Sequence, residues 1–308
     1  MSKRVLITGG AGFIGSHLVR HFADQAEVTV LDDLRSGYAH NLDGVACRFV
    51  RGSILDAKAL REAMADAEEV YHLAAMISVP ESVAKPAECA ELNTEGTRCV
   101  LDAAVAAGAR KVVLASSAAI YGDNPTVPKL ESMTPEPKSP YAETKLAGEH
   151  LLEAYRQTHG LGTTSLRFFN VFGPRQDPRS AYAAAVPIFI AKALRDEPIG
   201  IHGDGGQTRD FVHVTDIVGA LAYAGASADM AGTYNVGYGR SQSILELAQE
   251  ILRLTGSNST IEHLPPRAGD VRHSLASTER LLAAGWKPKS SVKAGLSETV
   301  DFYRQLKG

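Results

Sequence analysis

The N-terminal stretch "RVLITGGAGFIGSHL" narrows the possible folds more than any other part of the chain. A short aliphatic run enters a glycine turn and leaves it as a helical pattern. Gly10, Gly12 and Gly15 satisfy G-x-G-x-x-G, and Gly9, Gly12 and Gly15 also fit G-x-x-G-x-x-G. Glycine permits the tight turn, lets backbone approach a pyrophosphate, and lets the following helix pack on the strand. An anion then sits at the helix N-terminus, where unpaired amides and the helix dipole attract it. Spacing alone is a weak signal, but strand before and helix after are the context it requires. A second run, "EVTVLD", closes on Asp32 about 20 residues on, where a carboxylate accepts from the adenosine ribose of a dinucleotide. The same charge repels a 2′-phosphate, so the reading favours NAD over NADP. Arg35 keeps NADP open, although it reads first as a solvated loop residue.

The alternation continues. "RVLITG", "EVTVLD", "CRFVRG", "EVYHLA", "KVVLAS" and "TTSLRF" read as strands, with helix-length segments such as "FIGSHLVRHFADQ" and "NTEGTRCVLDAAVAAGA" between most of them. Continuous β-branched runs alternating with helices imply a parallel sheet covered on both faces. Right-handed crossovers make it an α/β, doubly wound (Rossmann) sheet. After about Gly173 the regularity fades into proline- and glycine-rich loops, "FGPRQDPRS", "HGDGGQTRD" and "LPPRAGD", between three helical patterns. This reads as a smaller, irregular α+β lobe. The expected division is residues 1–174 for the dinucleotide, with 210–238 returning to that unit through "GTYNVGYG", and 175–209 plus 239–308 for the substrate.

The 308 residues are long enough for a sizeable core, and 44% apolar with 22% charged is ordinary folded usage. A net charge of −3 without a basic run leaves no footprint for nucleic acid. Apolar runs such as "AVPIFIAKAL" are too short and interrupted to span a bilayer, and glycine cuts the N-terminal run too early for a signal peptide. Cys47, Cys89 and Cys99 form no C-x-x-C pair, and the histidines no H-E-x-x-H. A metal-free, cytoplasmic protein is the expectation.

The segment "SPYAETK" places Tyr141 and Lys145 four residues apart, on one face of any helix they share. On its own this is an ordinary helix start with Pro140 in the first turn. Beside a dinucleotide crevice it reads differently. The fifth strand ends in Ser116 and Ser117, and strand C-termini line that crevice. A neighbouring ammonium favours the phenolate, which would bring Tyr141 into general-base range, with Ser117 holding the reacting oxygen.

With these residues in order the chain resembles the extended short-chain dehydrogenase/reductase family, and within it the nucleotide-sugar 4-epimerases acting on UDP-glucose or UDP-N-acetylglucosamine. The resemblance runs through "TGGAGFIGSHL", "HLAA", "NTEGT", "SSAAIYG", "SPYAETK", "RFFNVFGPRQDP", "GDGGQTRDFVHVTDI" and "PPRAGDVRHSLA". It implies transient oxidation of a sugar at C4, with Tyr141 as base, Ser117 on the 4-oxygen and Lys145 tuning Tyr141 and holding the nicotinamide ribose. The implied NAD contacts are Gly9, Gly12, Phe13, Ile14, Asp32, Ser53, Ile54, Leu73, Ala74, Ala75, Asn93, Ala115, Tyr141, Lys145 and Phe168. For a UDP-sugar they are Ser117 and Tyr141, then Asn170, Arg209 and Arg267 at the pyrophosphate, Asp270 on the uridine ribose, and His202 and Val186 around uracil. Ser53 departs from the acid often found there, and Ile77 replaces a lysine of some epimerases.

Related 4,6-dehydratases carry an Asp–Glu pair where this chain has Ala118 and Ala119, and UDP-glucuronate decarboxylases have Glu at the second position. Alanine offers neither acid nor base, which argues against both reactions. Ser274 stands where epimerases restricted to unacetylated hexoses have a bulky Tyr, leaving room for an N-acetyl group, though a serine here also suits a plain turn. UDP-N-acetylglucosamine, UDP-glucose or both are therefore the expected substrates. A UDP-glucuronate 4-epimerase and an NAD-sensing regulator stay open as alternatives. A homodimer through the helices of 86–107 and 141–159 is expected.

Overall fold

The computed structural model describes residues 2–178, 184–266 and 271–306. Its strands are β1 (Lys3–Thr8), β2 (Ala26–Asp32), β3 (Arg48–Arg51), β4 (Glu69–His72), β5 (Lys111–Ser117), β6 (Gly162–Phe168), β7 (Asn170–Phe172), β8 (Ile199–His202), β9 (Thr208–His213), β10 (Gly232–Val236), β11 (Ser241–Ser243) and β12 (Ile261–Leu264). Its helices are α1 (Phe13–Phe22), α2 (Ala57–Met64), α3 (Val79–Ala84), α4 (Pro86–Ala90), α5 (Gly96–Ala106), α6 (Pro140–His159), α7 (Ala185–Ala193), α8 (Val214–Ala226), α9 (Ile244–Thr255), α10 (Glu279–Ala283) and α11 (Val292–Gln305).

The main sheet runs β10-β6-β5-β4-β1-β2-β3, parallel throughout. Period two sorts each strand between two cores. Val5, Ile7, Val113 and Leu166 face α1 and α8 through Leu18, Phe22, Ile217 and Leu221. Leu6, Val70, Val112 and Leu114 face α2, α5 and α6 through Leu60, Met64, Leu101 and Leu152. The doubly wound sheet expected from the alternation is therefore present, and "GTYNVGYG" supplies its seventh strand, β10.

The order reverses between β1 and β4, opening a crevice at the strand C-termini. Helix α6, which forms one wall, starts where the sequence requires. The Ser139 hydroxyl accepts from Ala142 N at 3.2 Å, Pro140 fills the first turn, and Gly160 ends the helix in the left-handed region. The opposite lobe has a third core around Phe172, Phe189, Ile190, Leu247 and Val300, and carries the small sheets β11-β9-β7 and β12-β8. One local surprise precedes α5, where Glu91–Glu95 forms a π-helical turn that no residue pattern announces.

Candidate active site

The crevice holds a cavity of about 340 Å³ between the glycine turn, the ends of β4 and β5, and α6. The three glycines differ in what they allow. Gly9 adopts φ +72°, and a Cβ there would lie 2.7 Å from Ala74 N. A Cβ on Gly15 would lie 2.1 Å from Gly9 O, so only glycine lets α1 rest on the turn. Gly12 has room within the protein, the nearest atom being Gly9 O at 3.3 Å, and as N-cap it gives α1 no side-chain cap. The first amides of α1 are thus left to the crevice, a fit for a pyrophosphate.

Asp32 is almost fully buried at the end of β2. Its carboxylate accepts from Ala11 N at 2.9 Å and Leu34 N at 2.8 Å, while burial raises its pKa. Arg35 donates to Glu88 at 2.9 Å and sits 3.6 Å from Asp33, so carboxylates already engage its guanidinium. Phe13, Ile14, Ser53, Ile54, Leu73, Ala74, Ala75, Ala115 and Phe168 all line the cavity with Gly9, Gly12 and Asp32. Ser53 accepts from Leu55 N at 3.2 Å, shaping its own turn. Asn93 is the exception. It stands behind the wall, accepting from Met76 N at 2.7 Å and donating to Thr144 Oγ1 at 3.0 Å, and so ties the loop after β4 to α6.

At the inner end the structure brings Ser117, Tyr141 and Lys145 together. Ser117 Oγ accepts from Ala119 N at 3.1 Å and heads the 3-10 turn Ala118–Tyr121. Tyr141 N donates to Ser82 Oγ at 3.1 Å, a contact the sequence did not disclose. Lys145 Nζ donates to Ala115 O at 2.8 Å and lies 5.8 Å from the Tyr141 ring centroid. Burial pushes the Lys145 ammonium down to about 8, with Cys89 and Glu149 pulling it back up. Burial raises the Tyr141 phenol, and a hydrogen bond with Ser117 opposes the rise. Next to them His72 is locked between Thr8 Oγ1 at 2.7 Å and Thr97 Oγ1 at 3.0 Å, and burial drives it down to about 3, so it stays neutral.

In the second lobe Asn170 is exposed at the start of β7, and Arg209 projects from β9 with one Nη on Thr208 O at 2.8 Å. Ser274 N donates to the same residue, Thr208 O, at 3.1 Å, which puts the serine beside Arg209. His202 Nδ1 pairs with Pro265 O at 2.8 Å. Val186, which the resemblance places around uracil, is 2% exposed and packs in the lobe's own core. Arg267 and Asp270 lie outside the described residues. Sequence reasoning also missed Asp210, fully buried beside Arg209. It accepts from Tyr238 N at 2.7 Å, Gly239 N at 3.0 Å and Ala276 N at 3.1 Å, and burial pushes its pKa up to about 6. Among the described residues no three His, Cys, Asp or Glu side chains converge as for a metal, and no helix is long and apolar enough to cross a membrane.

Residues 5–237 match the family described as NAD dependent epimerase/dehydratase. The UDP-glucose 4-epimerase of Mycolicibacterium smegmatis is 42% identical over 98% of both chains. The structure of UDP-N-acetylglucosamine 4-epimerase from Methanobrevibacter ruminantium, in complex with UDP-N-acetylmuramic acid, superposes with a TM-score of 0.96 at 38% identity, covering 99% of each chain. That of the Thermus thermophilus UDP-glucose 4-epimerase in complex with NAD gives 0.89 at 39% identity, covering 98% of this chain and 99% of that one.

Proposed function

The chain belongs to the NAD-dependent epimerase/dehydratase family, and from that premise we propose that it is a nucleotide-sugar 4-epimerase which inverts C4 of a UDP-hexose. The observation that carries this reading is that Tyr141 and Lys145 line a dinucleotide-sized crevice and Tyr141 meets Ser117, which is followed directly by Ala118 and Ala119. The three polar groups serve proton transfer at a carbinol. The two alanines withhold the acid and base that eliminating water would require.

NAD, when bound, supplies the hydride acceptor and donor for C4. Gly9, Gly12 and the first amides of α1 would hold its pyrophosphate and Asp32 its adenosine ribose, while Leu73 to Ala75, Ala115 and Phe168 enclose the rest of the crevice. Tyr141 takes the proton from the sugar 4-hydroxyl and returns it after the 4-ketone has turned over in the site. Ser117 holds the 4-oxygen and favours the phenolate form of Tyr141. Lys145, fixed on Ala115 O, presents its ammonium to the ribose side. The substrate's diphosphate is held by Asn170 and Arg209 with Arg267, its uridine by His202 and Asp270. A guanidinium offers planar paired donors for such oxygens.

Ser274, beside Thr208 and Arg209, leaves space near the sugar for an N-acetyl group. UDP-N-acetylglucosamine is accordingly a substrate, with UDP-glucose beside it. We divide the chain into residues 1–174 with 210–238 for NAD and 175–209 with 239–308 for the UDP-sugar, and take the working form to be a cytoplasmic homodimer in carbohydrate metabolism. The test is to incubate each UDP-sugar with the protein, without added NAD, and follow H4 by NMR. Galacto products from the acetylated sugar support the whole reading. Conversion of UDP-glucose alone removes the Ser274 argument, and no conversion even with NAD supplied overturns the assignment.

A further inference from the structure

Behind the active site lies a buried polar cluster that the chemistry above does not use. Ser116 of β5 and Arg167 of β6 are direct cross-strand partners, and Asn235 of β10 is the next partner in the same row. The pleat turns Ser116 and Arg167 toward α6. There Glu149 accepts from Ser116 Oγ at 2.5 Å and from two Arg167 nitrogens at 2.9 and 2.7 Å. The remaining Arg167 nitrogen donates to Tyr121 Oη at 2.9 Å, and Tyr121 Oη donates to Asn235 Oδ1 at 2.7 Å. All of these side chains are more than nine-tenths buried.

A buried ion pair adds little net stability compared with apolar residues of the same volume. What this one adds is alignment. Tyr141, Lys145 and Glu149 are four apart and form one stripe on α6. The stripe is keyed to three consecutive residues of β5: Tyr141 meets Ser117, Lys145 meets Ala115 O, and Glu149 meets Ser116. Arg167 also grips Tyr121, the last residue of the turn that Ser117 heads.

We propose that Glu149, clamped by Arg167 and Ser116, is a positioning residue for this active site, fixing α6 against β5 so that Tyr141 and Lys145 stand at a set distance from Ser117. The proposal rests on the 4-epimerase reading. Its charge has a second consequence. The titratable groups facing Lys145 are His72 from β4, Cys89 from α4, and Tyr141 and Glu149 from its own helix. Burial lowers His72 and raises Cys89 and Tyr141, while Cys89 and Glu149 both pull the buried ammonium up, so Glu149 is one of two groups that support it.

The experiment is a kcat and KM pH profile on UDP-N-acetylglucosamine and UDP-glucose for the wild type, Glu149→Gln and Ser116→Ala, with bound NAD and Tm measured alongside. Glu149→Gln is expected to lower kcat about 10- to 100-fold with KM near wild type, as a small misalignment would. Its alkaline limb should also move to lower pH, because Lys145 loses one of the two groups that support its charge. Ser116→Ala should lower kcat less and leave that limb in place. A folded Glu149→Gln enzyme with a lower Tm but unchanged kcat and alkaline limb would reduce the pair to scaffolding and overturn the proposal. If Glu149→Gln does not fold, Ser116→Ala decides: a reduced kcat upholds the proposal and an unchanged one overturns it. A wild type that converts neither sugar would instead overturn the epimerase reading, and this inference with it.

Discussion

At the scale of single residues the decisive group is Tyr141, whose phenol the protein alone makes a weaker acid. Burial raises it, and Ser117 supplies the opposing hydrogen bond. Replacing Tyr141 with Phe should lower kcat about 10²- to 10⁴-fold, the usual worth of a general base, while bound NAD, read by its absorbance after unfolding, stays near wild type. Ser117→Ala has a signed effect on pH. Loss of the bond leaves the Tyr141 pKa higher, so the acid limb of the kcat profile moves toward higher pH; a limb that stays in place would mean Ser117 acts on the substrate alone. Asp210 offers a test away from the chemistry. Its two carboxylate oxygens accept three backbone N–H bonds, which an amide cannot reproduce without pointing its NH₂ at a donor. Asp210→Asn should cost about 1–3 kcal/mol by denaturant titration and raise KM for the UDP-sugar through displaced Arg209.

At the scale of elements the glycine turn makes the sharpest separation between holding the fold and holding the ligand. Gly15→Ala drives a Cβ into Gly9 O, an overpacking expected to cost about 1–3 kcal/mol and to lower Tm. Gly12→Ala meets nothing closer than 3.3 Å within the protein, so Tm of the stripped protein should change little while retained NAD is lost. Equal Tm losses in the two variants would refute this division of labour. These glycines were readable in advance because a turn is a local event, fixed by residues adjacent in the chain. The strands were readable for a related reason: a parallel strand buried on both faces is written as an unbroken apolar run. The network of Ser116, Glu149 and Arg167 was not. Its members are spread from 116 to 167, and only the register of β5 on β6 and the pitch of α6 bring them together. Asp210 was hidden in the same way, since its partners come from segments after β10 and around Ala276. Val186 was ambiguous for the opposite reason, because an apolar residue in a helix looks alike in sequence whether it faces a ligand or a core.

At the scale of the whole molecule the arrangement of α5 and α6 sets what a second copy could add. Both helices bury one face on the sheet, through Val100, Leu101 and Ala104 on α5 and Thr144, Gly148 and Leu152 on α6. Their other flanks leave Cys99 and Ala103 on one helix and Ala147 and Leu151 on the other partly exposed, each pair four apart and therefore in line. Small side chains let a facing helix approach closely, while Arg98, Glu95 and Asp102 form an ion-paired margin beside them. Light scattering should accordingly give the mass of two chains. Ala103→Glu combined with Ala147→Glu places charges in the middle of that surface and should yield a single-chain mass with a lower Tm. Because α6 also carries Tyr141, Lys145 and Glu149, its loss of outer support should be felt as reduced kcat with NAD still retained. A double variant that keeps the mass of two chains would show that the pairing, and the support it gives α6, lies on another face.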